Sequence, residues 1–172
     1  MLDKVKTPKL YMVWHSAPSF SKGDTYMDLT ASILGDGVAG RLYQRLVVEK
    51  DLATDVSSEQ QSMQLGSLFW IEVSLKNASS GPEVERQIDD VIGTYVNSGP
   101  KNDELKRQAA KLEFSIMSSL QAIPEVADRL NEFEYFLGEP NSFKAVLDEY
   151  RSATTRQIRD EARNTLKPDA RL

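Results

Sequence analysis

Ser67-Leu68-Phe69-Trp70-Ile71-Glu72-Val73-Ser74-Leu75-Lys76 carries the clearest pattern in the chain. Phe69, Ile71, Val73 and Leu75 alternate with Leu68, Trp70, Glu72 and Ser74, a period of two that predicts a strand with one apolar face. Gly66 marks a turn before it. The polar stretch Ala53–Met63, with Val56 among Thr and Ser residues, is predicted as the other arm of a hairpin. Upstream, Lys9–Ser16 sets Leu10, Met12 and Trp14 against Tyr11, Val13 and His15, which reads as a further strand.

The rest of the chain reads as helix. Asp24 is a plausible cap for a buried segment with Met27, Leu29, Ala31, Ile33 and Leu34; Gly35–Gly40 breaks it, and Arg41–Lys50 supplies a second helix. After the hairpin, Pro82 opens and Gly99-Pro100 closes a segment striped with Val84, Ile88, Val91, Ile92, Tyr95 and Val96. Asn102 or Asp103 is placed to cap the next, with Leu105, Ala109, Leu112, Ile116 and Leu120 inward. Pro124 interrupts before Val126, Leu130, Phe133 and Leu137, and Gly138 stops that run; Phe143–Tyr150 forms a short helix. Thr154-x-x-Gln157 is a capping box for the last helix, which ends before Pro168. Strand, two helices, hairpin, then several helices is an α+β order. It predicts a two-layer sandwich, a small and mainly antiparallel sheet covered by helices, as one domain over residues 1–172.

Composition removes several chemistries. The 172 residues hold no Cys and a single His, His15. Disulfides, thiolate metal sites, thiol nucleophiles and every site needing two histidines are therefore excluded within these residues. Twenty-one Lys plus Arg against 26 Asp plus Glu leave a net charge of −5, with the basic residues dispersed. This argues against a nucleic-acid partner, which needs clustered cations to displace phosphate counterions. No stretch approaches the length of a membrane-spanning helix, so membrane insertion is not expected.

Three local features invite a functional reading. Gly35-Asp36-Gly37-Val38-Ala39-Gly40 spells the G-x-G-x-x-G of dinucleotide sites. That mechanism requires a strand before the glycines and a helix opening after them; here a helix precedes, so a tight helix–helix connection is the better reading. His15 beside Ser16 lacks any nucleophile-elbow context and reads as a hydrogen-bonded histidine at a strand end. The acidic pairs Glu83/Glu85, Asp89-Asp90, Glu132/Glu134, Asp148-Glu149 and Asp160-Glu161 sit opposite apolar stripes, where solvated charges belong.

The run Ile33-Leu34-Gly35-Asp36-Gly37-Val38-Ala39-Gly40-Arg41-Leu42-Tyr43-Gln44-Arg45-Leu46-Val47 resembles the signature of the non-catalytic ("inactive") C-terminal-type domain of insulinase/pitrilysin-type zinc metallopeptidases. Its structural signature residues here are Gly35, Gly37, Gly40, Arg41, Leu42 and Tyr43. The opening strand Leu10–Pro18, the hairpin arm from Leu65 to Ile71 and Gly99-Pro100-Lys101-Asn102-Asp103-Glu104-Leu105 are similar to that domain in order and spacing.

The resemblance implies a clamshell of homologous domains that encloses an unfolded peptide. The zinc there belongs to a different, catalytic domain with a His-x-x-Glu-His helix. This chain has no such motif, so it is expected to carry no catalytic residue, metal or cofactor. Its expected partners are a zinc-bearing domain, in the same chain or another subunit, and a peptide substrate. In the family's last domain an Arg and a Tyr reach across to the peptide; Val47 and Thr54 stand at those positions here, which is more similar to the domain beside the catalytic one. The family's closing strand would begin near Lys167–Leu172. An excised piece of a longer protein is therefore expected, with a sheet edge left unpaired or self-associating. Export to a Gram-negative periplasm is the localisation that the resemblance suggests. A scaffold or assembly subunit of the same fold, without proteolysis, is the alternative role.

Overall fold

The computed structural model describes residues 7–172. Strand β1 (Lys9–Ser16) is followed by helix α1 (Lys22–Gly35), a short 3-10 turn at Gly37–Ala39, and α2 (Arg41–Tyr43), which runs on as a π-helix over Gln44–Glu49. Strands β2 (Ala53–Gln61) and β3 (Ser67–Leu75) form the hairpin. Then come α3 (Gly81–Ser98), α4 (Asn102–Ser119), α5 (Ile123–Leu137), α6 (Phe143–Ser152) and α7 (Thr155–Thr165), with a 3-10 turn at Pro168–Ala170. The α+β expectation holds: three antiparallel strands in the order β1-β3-β2, with helices packed against them.

The alternation of β3 sets the layers. Pairing runs Trp14↔Phe69, Met12↔Ile71 and Leu10↔Val73 on one side and Val56↔Val73 and Ser58↔Ile71 on the other. One face of the sheet therefore carries Met12, Trp14, Phe69, Ile71, Val73, Leu75, Ala53 and Val56, all buried. Met27, Leu29, Ile33 and Leu34 of α1, Val84, Ile88 and Tyr95 of α3, and Ile158 and Ala162 of α7 complete that core. Trp14 meets Phe69 edge-on at 6.1 Å and donates its indole N–H to the Lys167 carbonyl at 2.9 Å, so the polar end of a buried ring is satisfied. A second apolar cluster fixes α5 and α6 to the start of α1. Phe133 packs against Phe20 at 5.8 Å and Phe143 at 4.9 Å.

Helix ends refine the sequence reading. The cap of α1 is Ser21, whose hydroxyl accepts the Asp24 N–H at 3.4 Å. Asp24 is instead buried, accepting from the Phe20 N–H, Gln60 Nε2 and Ser62 Oγ at 3.0, 3.0 and 2.6 Å. The carboxylate expected to cap the helix thus links α1 to β2 through Gln60. Lys101 precedes α4 where Asn102 or Asp103 was expected, with its backbone N–H held by the Glu104 carboxylate at 2.7 Å. Gly99 and Gly138 close α3 and α5 with φ of +74° and +69°, a conformation that costs other residues about 1 kcal/mol or more. The Thr154–Gln157 capping box forms as predicted, and β2 stops at Gln61, before Met63.

The far side of β1 is partly occupied. Val13 exchanges both backbone hydrogen bonds with Leu172, at 3.0 and 2.9 Å, beside the bridge Trp14↔Arg171. Arg171 is anchored in turn by Glu85 and Asp89 of α3, at 2.5 Å each. The segment where a closing strand was expected therefore starts to pair on this edge.

Candidate functional site

The turn at Gly35–Gly40 is built by close packing. A Cβ on Gly35 would overlap the backbone nitrogen of Ser58 and lie 3.0 Å from its Cα, so only glycine lets the end of α1 touch β2. Ser58 Oγ donates to the Ala31 carbonyl at 2.8 Å alongside. Gly37 has φ +47°, and a Cβ on Gly40 would meet Asp36 N and Leu34 O at 2.8 Å. The amides of Ala39 and Gly40 bond back to the turn's own carbonyls, and the Asp36 amide bonds to Ser32. These donors are spent, and a carboxylate stands in the turn, so the geometry does not suit a phosphate.

Asp36 itself ties the turn to α4. Its carboxylate accepts from Gln108 Nε2 at 2.8 Å and pairs with Lys111. Burial raises its pKa, but the hydrogen bonds from Lys111 and Gln108 outweigh that and hold it below the ordinary value.

Arg41 joins both glycine-containing motifs. Its Nε and Nη2 donate to the two Glu104 oxygens at 3.1 and 2.6 Å, and Nη2 also donates to the Gly99 carbonyl at 3.2 Å. The guanidinium carbon lies 5.1 Å from the centre of the buried Tyr95 ring. Tyr95 Oη donates to Thr30 Oγ1 at 3.3 Å, and burial pushes its phenol well above the ordinary range. Burial also opposes ionisation of Glu104, yet Arg41 and the Lys101 N–H bring its carboxyl below the ordinary value. A bidentate pair over an aromatic face is a positioning device for three elements. Leu42 is buried in the core, and Tyr43 is half-buried against it.

Val47 is half-buried on the π-helix and packs on the core. Thr54 is exposed at an irregularity in the pairing of β2 with β3, its hydroxyl donating to the Ser74 carbonyl at 3.3 Å. Neither can offer a charged or long-reaching donor to a ligand.

His15 and Ser16 point to opposite faces of β1, as period two requires. His15 is exposed, opposite Leu68, and has no hydrogen bond among the described residues, where a hydrogen-bonded edge histidine was expected; Ser16 Oγ is buried and unpaired. No Ser–His pair exists here. Zinc does not fit these residues either: the one imidazole stands apart from the acidic side chains, and among the described residues no group of three His, Asp or Glu side chains is placed to hold a metal. Most acidic pairs from the sequence sit in surface ion pairs, such as Arg86 with Glu83 and Asp90. Asp89 goes to Arg171 instead.

Asp28 escaped the sequence reading, and Asp24 was read there only as a cap. Asp24 and Asp28, one turn apart on α1, line a cavity of about 230 Å³ with Phe20, Phe133, Arg129 and Tyr150. Tyr150 Oη donates to Asp28 at 2.5 Å. Burial pushes the Asp28 carboxyl up to about 7; the Tyr150 hydrogen bond opposes this and Asp24 adds to it. Their four-residue spacing inside an otherwise apolar stripe was the available signal.

Comparison with known proteins then places the molecule. The sequence profile of the peptidase M16 inactive domain matches residues 1–112. The chain belongs to the peptidase M16 inactive-domain family. The Arg41–Glu104 clamp and the Gly35 contact with β2 both lie inside the matched region of this M16 domain. Its fold is similar to the inactive peptidase domain of a candidate zinc protease from Bordetella parapertussis (22% identity, TM-score 0.85), covering 96% of this chain and 90% of that one. A protease from Helicobacter pylori is similar at 15% identity and TM-score 0.86, and here the M16 domain covers 99% of itself but only 41% of the other chain. A structure of Complex III2 from Candida albicans with Inz-5 bound shares the fold at 9% identity, TM-score 0.81, over 99% of this chain and 42% of that one. No curated protein matches the chain.

Proposed function

We propose that the chain is a non-catalytic domain of an M16 zinc metalloendopeptidase, packing on the zinc-bearing domain and forming part of the wall that encloses the peptide. One observation carries this reading: the M16 inactive-domain match falls on a chain whose described residues do not fit zinc ligation. The length relation supports it, since the chain spans about two-fifths of the Helicobacter pylori protease but nearly all of the Bordetella inactive domain. Val47 and Thr54, lacking a guanidinium and a phenol, favour the position beside the catalytic domain over the one facing it across the chamber.

The test is reconstitution with the zinc-bearing half from the same source. The chain alone is expected to show no bound zinc and no peptide hydrolysis, and the reconstituted complex to show both. Hydrolysis by the isolated chain would sink the proposal. A scaffold role without proteolysis is the second reading, favoured by the likeness to Complex III2; a reconstituted complex that forms but never cleaves peptide would support it.

A further inference from the structure

Helices α5 and α6 pack as a unit of their own between residues 120–122 and 153–154. The apolar side chains that they bury, Phe133 and Leu147, lie outside the core that joins the sheet to α1, α3 and α7. Phe133 instead meets Phe20 and Phe143, and Phe136 meets Phe20 at 5.2 Å. Most of α5 is exposed. Arg151 of α6 pairs with Glu113 of α4, but at the surface, where such a pair holds little. A segment attached in this way can come off as one piece while the sheet and α1 stay packed, at a lower free energy than global unfolding. Where it meets α1 it covers carboxylates. The cavity of about 230 Å³ is faced by Asp24 and Asp28 of α1, Arg129 and Glu132 of α5, and Glu149 and Tyr150 of α6. The other lining side chains, among them Ile116 of α4 and Ser62 after β2, carry no titratable group, and α7 contributes none. Arg129 is engaged by Glu132 at 2.6 Å. Three donors satisfy Asp24, whereas Asp28 receives only the Tyr150 hydroxyl among the described residues.

We propose that α5 and α6 form a pH-operated lid latched at Asp28: closure over the cavity takes up one proton on this carboxyl, and loss of that proton releases the lid. Enclosing a second carboxylate one turn from Asp24, beneath Phe133, removes its hydration, and a proton on Asp28 cancels that penalty. Burial, with Asp24 adding and Tyr150 opposing, accordingly pushes the enclosed Asp28 carboxyl up to about 7. Once the lid is open the carboxyl is solvated and titrates near about 4. The closed state is thus favoured in full below about pH 4, and this advantage is lost as pH rises through about 7. A carboxyl oxygen accepts a hydrogen bond in either protonation state, so Tyr150 aligns the latch throughout. Tyr150 is also where α6 touches the main core, which places the latch at the join between lid and core.

Native-state hydrogen exchange of the full chain, corrected for the intrinsic pH dependence of amide exchange, tests this. The amides of Phe133 and Leu147 report the lid, and those of Ile71 and Val73 in β3 report the core. The lid's opening equilibrium should rise on the order of fiftyfold from pH 5 to pH 8 and level off above that. Ile71 and Val73 should stay far better protected than the lid at every pH. Asp28→Asn, which has no proton to lose, should abolish the rise. Phe133→Ala should increase lid opening at least about tenfold at both pH values, while Ile71 and Val73 remain protected. Equal protection of lid and core in the parent would overturn the proposal, because the two would then unfold only together. So would an Asp28→Asn variant whose lid responds to pH as the parent's does. A carbon-13 NMR titration of the parent needs no variant: an Asp28 carboxyl that titrates near about 4 in the closed protein would overturn the latch, and one that titrates near about 7 would support it.

Discussion

Gly35 and Gly37 have the same side chain for different reasons, and substitution separates them. At Gly35 a methyl group collides with the Ser58 backbone, which cannot rotate away; Gly35→Ala should cost ~3 kcal/mol or more, as overpacking against backbone does. At Gly37 the space is open and only φ +47° is at stake, so Gly37→Ala should cost roughly 1 kcal/mol. Urea midpoints for the two variants check the order; equal losses would refute the packing account. Asp28 gives a pH signature. Its folded pKa of about 7 lies above the unfolded carboxylate value, so the native state holds the extra proton. This contribution to stability is present below about pH 4 and is lost as pH rises through 7. Asp28→Asn, which keeps an acceptor for Tyr150, should therefore raise the melting temperature at pH 8 relative to the parent and flatten that part of the pH profile, an effect of roughly 1–3 kcal/mol. A variant that melts lower at pH 8 would contradict it. The glycines were visible in the sequence, but which one is sterically required was not, because Ser58 is 23 residues away in the chain.

Among the elements, the α2 start, the α3 end and the α4 start are held by Arg41 and Glu104. Both side chains are about 20% exposed, so this pair is worth more than a surface bridge. A double-mutant cycle with Arg41→Ala and Glu104→Ala should return a coupling of about 1–3 kcal/mol. Arg41→Lys should recover less than half of it, since an ammonium cannot span both carboxylate oxygens and Gly99. The Glu104 pKa is lowered in the fold, so this support is present above the unfolded value and is lost as pH falls through the folded one. A coupling near zero at neutral pH would make the pair incidental. Each motif was legible separately, as a Gly-rich turn with Arg41 and as a helix start with Glu104. Their meeting was not, because 63 residues separate them.

For the whole molecule, the sheet order leaves β1 and β2 as edges. Along β1, the Pro8 carbonyl bonds to β3 and Val13 bonds to Leu172, so by alternation Lys9, Tyr11 and His15 face the same way as Val13. Hydrogen exchange should find the Leu10, Met12, Trp14 and Val13 amides protected and those of Lys9 and Tyr11 fast. Slow exchange at Tyr11 that disappears on dilution would instead show self-association along this edge. Lys9 on this edge is ion-paired with Glu72 of β3, and a charged pair at an edge discourages such pairing.

Local chemistry determined most of the elements. Alternation in Ser67–Leu75, the glycine stops and the Thr154–Gln157 box each depend on residues within a few positions, so strand, helix and α+β order followed from the sequence. The absence of Cys and the single His likewise bounded the chemistry available to these residues. Tertiary structure decided what depends on distance in space. It turned Asp24 from a cap into a buried link, converted the end of the second helix into a π-helix, and set Arg41 against Glu104. It also left one sheet face covered and the other open, with Trp70 beside Glu59, because which face is buried is fixed by what folds back onto it.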